Sequence, residues 1–95
     1  MKEPAKIGDV YEVKKDFKID GGRVPAGIFI IFDGVEVRRG TASVLLLACS
    51  KASENVFRKC DNGDIQLPYE TFNHLVQSGI LELFTTVSTI NHVDM

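Results

Sequence analysis

Tryptophan is absent from this chain of 95 residues, and cysteine, histidine and tyrosine occur only twice each. Each shortage closes off a class of function. Zinc sites draw on closely spaced soft ligands such as Cys-x-x-Cys. Here ten residues separate Cys49 from Cys60, thirteen more precede His74, and His92 stands near the end of the chain. The cysteines therefore read as packed, reduced thiols, and neither a metal nor a cofactor is expected. Charge of one sign is also lacking. Eleven Lys and Arg face thirteen Asp and Glu, a net charge of −2, so no global field draws in nucleic acid. No apolar run approaches the roughly 20 residues that cross a bilayer. The N-terminus has no apolar stretch of the kind that marks a secretory signal, and there is no Asn-x-Ser/Thr sequon. A cytoplasmic protein without membrane association is the expectation.

What the chain does have is two dense apolar runs, Ile28-Phe29-Ile30-Ile31-Phe32 and Val44-Leu45-Leu46-Leu47-Ala48-Cys49. A strand sends alternate side chains to opposite faces. One with a wet face should alternate apolar with polar residues. These runs do not, so both faces of both strands need cover. Ninety-five residues suit a single domain, 1–95, with a modest core, ordered over about residues 7–87. The mostly polar ends, Met1 to Lys6 and Ser88 to Met95, are expected to fray. So short a chain has little material to cover four strand faces. That points to a binding module or a homo-oligomer, with contact through one face of 28–32 or 44–49.

Turn residues divide the rest. Val10 to Lys14 reads as a first strand. Phe17 and Ile19 follow on an extended, irregular path that ends at Asp20-Gly21-Gly22, where glycine takes positive φ without steric cost. Val24-Pro25-Ala26-Gly27 leads into the first apolar run. Asp33-Gly34 marks a turn or bulge, with Val35 to Val37 beyond it, and Arg39-Gly40 is the next break. Thr41 to Ser50 is the second apolar strand, and Asn55 to Lys59 another. Asp61-Asn62-Gly63-Asp64 reads as a two-residue hairpin turn returning through Ile65 to Leu67. One helix follows, Tyr69 to Ser78. Pro68 suits its start, Glu70 the dipole of its first turn, and Gly79 its C′ position. Tyr69, Phe72, Leu75 and Val76 form its apolar face; Glu70, Asn73, His74 and Gln77 form the polar one. Ile80 to Phe84 is the last strand.

This order of elements, opening on Gly8-Asp9-Val10-Tyr11-Glu12-Val13, resembles the SH3-like small barrels and their KOW and Tudor-like relatives. Lys15 to Gly27 stands where their long first loop lies. The helix from Tyr69 to Ser78 replaces the single 3₁₀ turn before their last strand. The resemblance implies a mostly β (α+β) fold, a small antiparallel barrel with one α-helix before the final strand. It also implies binding of peptides, proteins or nucleic acids. The aromatic shelf of the peptide-binding members is missing, and basic charge is short of the RNA-binding KOW pattern.

No catalytic constellation emerges. A Cys60–His74 nucleophilic pair would lack an oxyanion donor set and an orienting partner. Asp61 and Asp64 flank Asn-Gly, where turn chemistry explains both. Asp20-Gly21-Gly22-Arg23 is not followed by the helix that an anion-binding loop needs. An enzyme is not expected. The expected function is a non-catalytic protein-binding or regulatory accessory module of a larger bacterial or phage machine. The alternative is a nucleic-acid-binding SH3-like or KOW-type domain contacting phosphates through Lys14, Lys15, Lys18, Arg38 and Arg39.

Overall fold

Both apolar runs form strands, and one chain buries each of them on both faces. The computed structural model describes residues 5–54, 56–87 and 93–94. Strand β1 spans Asp9–Val13, β2 Phe17–Ile19, β3 Gly22–Val24, β4 Phe29–Arg38, β5 Thr41–Ser53 and β6 Val56–Pro68. Helix α1 spans Tyr69–Gln77, followed by β7 at Leu81–Thr86 and β8 at Val93–Asp94. Six strands make one sheet in the order β7-β1-β4-β5-β6-β8, and β2 with β3 makes a separate hairpin. All pairs are antiparallel except β6 with β8. The fold is mostly β with one short helix. The sheet is open, with β7 and β8 at its edges, and no closed barrel forms among the described residues.

Alternation explains the double burial. Ile30, Phe32, Val44, Leu46 and Ala48 point to one face, where α1 supplies Phe72 and Leu75 and the β2–β3 hairpin supplies Phe17 and Val24. Phe29, Ile31, Leu47 and Cys49 point to the other, where they join Val10, Phe57 and Val87. Phe84 packs on this second cluster, its ring centroid 5.0 Å from that of Phe29 and 6.4 Å from that of Phe57. The Lys51 ammonium lies 5.0 Å from the Phe84 centroid, a cation–π contact. Only Ile28 and Leu45 in the two runs are half-buried; the rest are buried. The premise that these runs leave an apolar face for a second molecule is therefore corrected. The chain covers them itself.

The helix lies where the periodicity places it. Phe72 and Leu75 are buried, Tyr69 and Val76 half-buried, and Glu70, Asn73, His74 and Gln77 exposed. The Ser78 and Gly79 amides donate to the carbonyls of His74 (2.9 Å) and Val76 (3.2 Å), and Gly79 takes φ +80°, closing the helix in left-handed backbone.

The hairpin expected at Asp61 to Asp64 is not there. Leu47 pairs with Asp64 and Cys49 with Lys59, so Ala48 alone faces Cys60-Asp61-Asn62-Gly63. These residues bulge out of β6 while the strand continues in its original direction. Lys59 Nζ and Asp64 Oδ2 clasp the neck of the bulge at 2.9 Å. Asn62 takes φ +56°, which Asn tolerates, and Gly63 is buried under backbone. The chain reverses earlier, between the paired residues Ser53 and Val56. A two-residue turn, Arg39-Gly40, joins the paired Arg38 and Thr41. Its φ values of 54° and 77° are those of a type I′ hairpin turn.

Of the ends expected to fray, Met1 to Pro4, Ser88 to His92 and Met95 lie outside the described residues. Lys6 and Asp9 are tied together by two hydrogen bonds, from the Lys6 amide to Asp9 Oδ2 and from the Asp9 amide to the Lys6 carbonyl, both 2.9 Å. The backbone of Val93–Asp94 pairs with Phe57 and Arg58.

Candidate functional site

The five basic residues singled out from the sequence fall in two places. Lys14 follows β1, Lys15 lies in the next loop, and Lys18 on β2 faces Arg23 on β3. Arg38 ends β4 and Arg39 opens the following turn. Strand β1 pairs with β4 only at Phe29 to Ile31. The lysine group therefore lies at one end of the ten-residue β4 and the arginines at the other. Acidic residues interleave with both groups: Lys14 with Glu12 at 3.4 Å, Arg23 with Asp16 at 3.4 Å, and Arg38 with Glu36 at 3.2 Å. Such exposed pairs add little stability, but they neutralise what would otherwise attract phosphate.

The soft ligands do not converge either. Cys49 is buried and Cys60 half-buried, without a disulfide. His74 is exposed on α1, and His92 lies outside the described residues. Among the described residues no three His, Cys, Asp or Glu come together to hold a metal.

Burial pushes the Cys49 thiol up from 9.0 to about 11, with Cys60 adding to the rise and Lys59 opposing it. The Tyr11 phenol rises from 10.0 to about 12, through burial first and then Asp9 and Tyr69. Both folded-state values exceed the unfolded ones. The stability they contribute is complete below pH 9 and is lost as pH climbs through about 11 and 12. Urea melts between pH 8 and pH 12 should show that decline, with a smaller loss in Tyr11→Phe. A disulfide exchange reagent at pH 8 should react with the Cys60 thiol in the native protein, and with Cys49 only on unfolding.

A groove of about 650 Å³ opens between the C-terminal end of α1 and strand β7. Tyr11, Val76, Leu81 and Leu83 supply its apolar lining; Lys6, Gln77, Glu82 and Thr86 supply polar groups. The Tyr11 ring is fixed edge-on against Phe72, centroids 5.5 Å apart. At one end the buried Asp9 carboxylate accepts from the Thr86 hydroxyl (2.8 Å) and the Lys6 amide (2.9 Å). With both oxygens engaged, Asp9 ties the start of β1 to the end of β7. It is a structural brace for the groove.

Along this groove runs the outer edge of β7, with which no further strand pairs among the described residues. The Lys14 amide donates to the Ile80 carbonyl at 2.8 Å, which makes Lys14–Ile80 a close pair. In an antiparallel ladder close and wide pairs alternate. Glu12–Glu82 is then close, and Val13–Leu81 and Tyr11–Leu83 are wide. Consistently, Val13 turns its N–H and C=O to the segment just before β4, bonding Ile28 at 2.9 Å and Gly27 at 2.8 Å. Leu81 and Leu83 must turn theirs away from β1, to the open edge. The Leu83 side chain is 56% exposed and the Phe84 side chain, on the opposite face, 43%.

Sequence reasoning missed Asp9, Tyr11, Leu83 and Thr86 as site residues. The one available signal was Leu81-Glu82-Leu83-Phe84, where an alternating strand carries an extra apolar residue. Only the strand order reveals that this strand is an edge. No helix among the described residues is long and apolar enough to cross a membrane. No family model, curated protein or solved structure matches the chain.

Proposed function

We propose that this protein is a non-catalytic binding module that captures an extended segment of a protein partner along β7. One observation carries the reading: the outward N–H and C=O groups of Leu81 and Leu83 border an apolar groove. Strand addition works in this way, with main-chain hydrogen bonds giving affinity and side-chain pockets giving specificity. The groove suits apolar side chains at alternate positions of the incoming strand, lying between Tyr11, Leu83 and Val76. A small cytoplasmic accessory protein that modulates a larger assembly fits this mode. The order of strands supports the SH3-like reading of the fold, since β7, the strand after the helix, returns beside β1 and a long hairpin-bearing connection separates β1 from β4. Nucleic-acid binding ranks second, because the basic residues are split between two ends of β4 and two of them, Lys14 and Arg38, are paired with carboxylates.

The test is to pan a displayed library of random peptides on the immobilised wild type and on Leu83→Pro. Proline there removes an edge-facing N–H while sparing the bonds to β1. Enrichment of peptides with alternating apolar residues on the wild type, lost on Leu83→Pro, is the expected result. Equal enrichment on both proteins, or none on the wild type, would overturn it. A mobility-shift assay with random-sequence DNA and RNA should show no salt-sensitive binding at physiological ionic strength.

A further inference from the structure

Beyond the bulge at Asp33-Gly34, β4 projects past β1. Among the described residues no strand pairs with the outer edge of Asp33 to Arg38. This projecting half reads Val35-Glu36-Val37-Arg38. Val35 and Val37 are 46% and 69% exposed, and Glu36 and Arg38 lie on the opposite face, paired at 3.2 Å. Arg38 and Thr41 flank the two-residue turn and face each other as a close pair. Val37 and Val35 therefore turn their N–H and C=O groups outward.

We propose that this edge pairs antiparallel with the same edge of a second copy, about a two-fold axis through Val37. Charge selects both the occupant and the register. Two-fold pairing sets residues that share a face opposite each other, so only a few registers exist. Centred on Glu36, two glutamates would collide. Centred on Val35, Glu36 would face Gly34 of the other copy, and Val37 would face Asp33. Centred on Val37, the two copies of Val37 exchange backbone hydrogen bonds across the axis. Glu36 of each copy then stands opposite Arg38 of the other, twice over. These wide pairs bring side chains closest, so the two existing Glu36–Arg38 pairs join into a ring of four alternating charges. Opposite charges directly across a ladder stabilise it, and like charges destabilise it.

The interface is short, well below the size of standard stable dimers, so the dimer is weak and forms at high micromolar concentration. It uses the outer edge of the far end of β4, and not a face of the runs 28–32 or 44–49 that the sequence suggested.

Sedimentation equilibrium from micromolar to millimolar chain concentration tests it. The wild type should move towards twice the chain mass. Arg38→Glu should weaken association by about tenfold, and the double exchange Glu36→Arg with Arg38→Glu should restore it. Val37→Pro, which removes an outward N–H, should stay monomeric. A wild type that remains monomeric at millimolar concentration overturns the proposal. So does association that Arg38→Glu leaves unchanged, or a double exchange as weak as the single reversal. Should Val37→Pro fail to fold, the two charge variants, at the exposed Arg38 and the half-buried Glu36, decide alone.

Discussion

Gly63→Val should destabilise the protein by about 2–3 kcal/mol or more, read as a shift of the urea midpoint without a change in slope. Positive φ is not the cause, since that belongs to Asn62. A Cβ at Gly63 would sit 2.7 Å from the carbonyl oxygens of both Ala48 and Cys60. Both are backbone, Ala48 between the paired Leu47 and Cys49 and Cys60 next to the paired Lys59, and neither can swing aside as a side-chain tip would. Gly63→Ala already introduces that clash and should account for most of the loss. Asn62→Ala should cost less, because only local backbone preference is changed there. A Gly63→Ala variant with wild-type stability would mean that Cys60 to Gly63 forms an exposed turn after all.

Phe57→Ala should cost about 3–5 kcal/mol. Phe57 is fully buried, packs 5.4 Å from the Phe29 ring, and sits in the cluster that covers the second face of the apolar strands. The number matters less than its concentration dependence. If one chain covers that face, the Tm falls by the same amount at micromolar and at high concentration. If a second molecule covers it, the loss appears as weaker association, and the Tm of the variant and of the wild type both vary with concentration. The structure predicts the first outcome. The β4 edge pairing is separate from this cluster and leaves the Phe57 effect unchanged.

Local chemistry was legible in the sequence wherever one physical reason dominates. The spacing of Tyr69, Phe72, Leu75 and Val76 placed the helix and its buried face. The unbroken runs at 28–32 and 44–49 pointed to strands with two buried faces, because they are short and the second lacks a 3.6 period and is flanked by glycine and polar residues. What covers those faces was not legible. Phe57, Phe84 and Val87 come from segments whose place depends on strand order, and strand order has no local signature. Asn62-Gly63 misled for a related reason. Turn residues report where the backbone takes unusual angles or passes close to other backbone, and a bulge needs this as much as a hairpin does. Arg39-Gly40 carries the type I′ turn with a less usual residue at its first position, since arginine there accepts φ 54°. The groove was hidden on the same ground. Asp9 and Thr86 stand at opposite ends of the chain and meet only because β7 returns to β1.

The most direct measurement is the exchange rate of the Leu83 amide proton, followed by NMR with and without a peptide selected by panning on the wild type. In the free protein this proton faces the open edge and should exchange quickly, while the neighbouring Glu82 amide, bonded to β1, is protected. Saturation with the peptide should bring Leu83 to a protection like that of Glu82, as its N–H becomes part of a new ladder. A bound peptide that leaves the Leu83 amide exchanging as fast as before would contradict strand capture at β7.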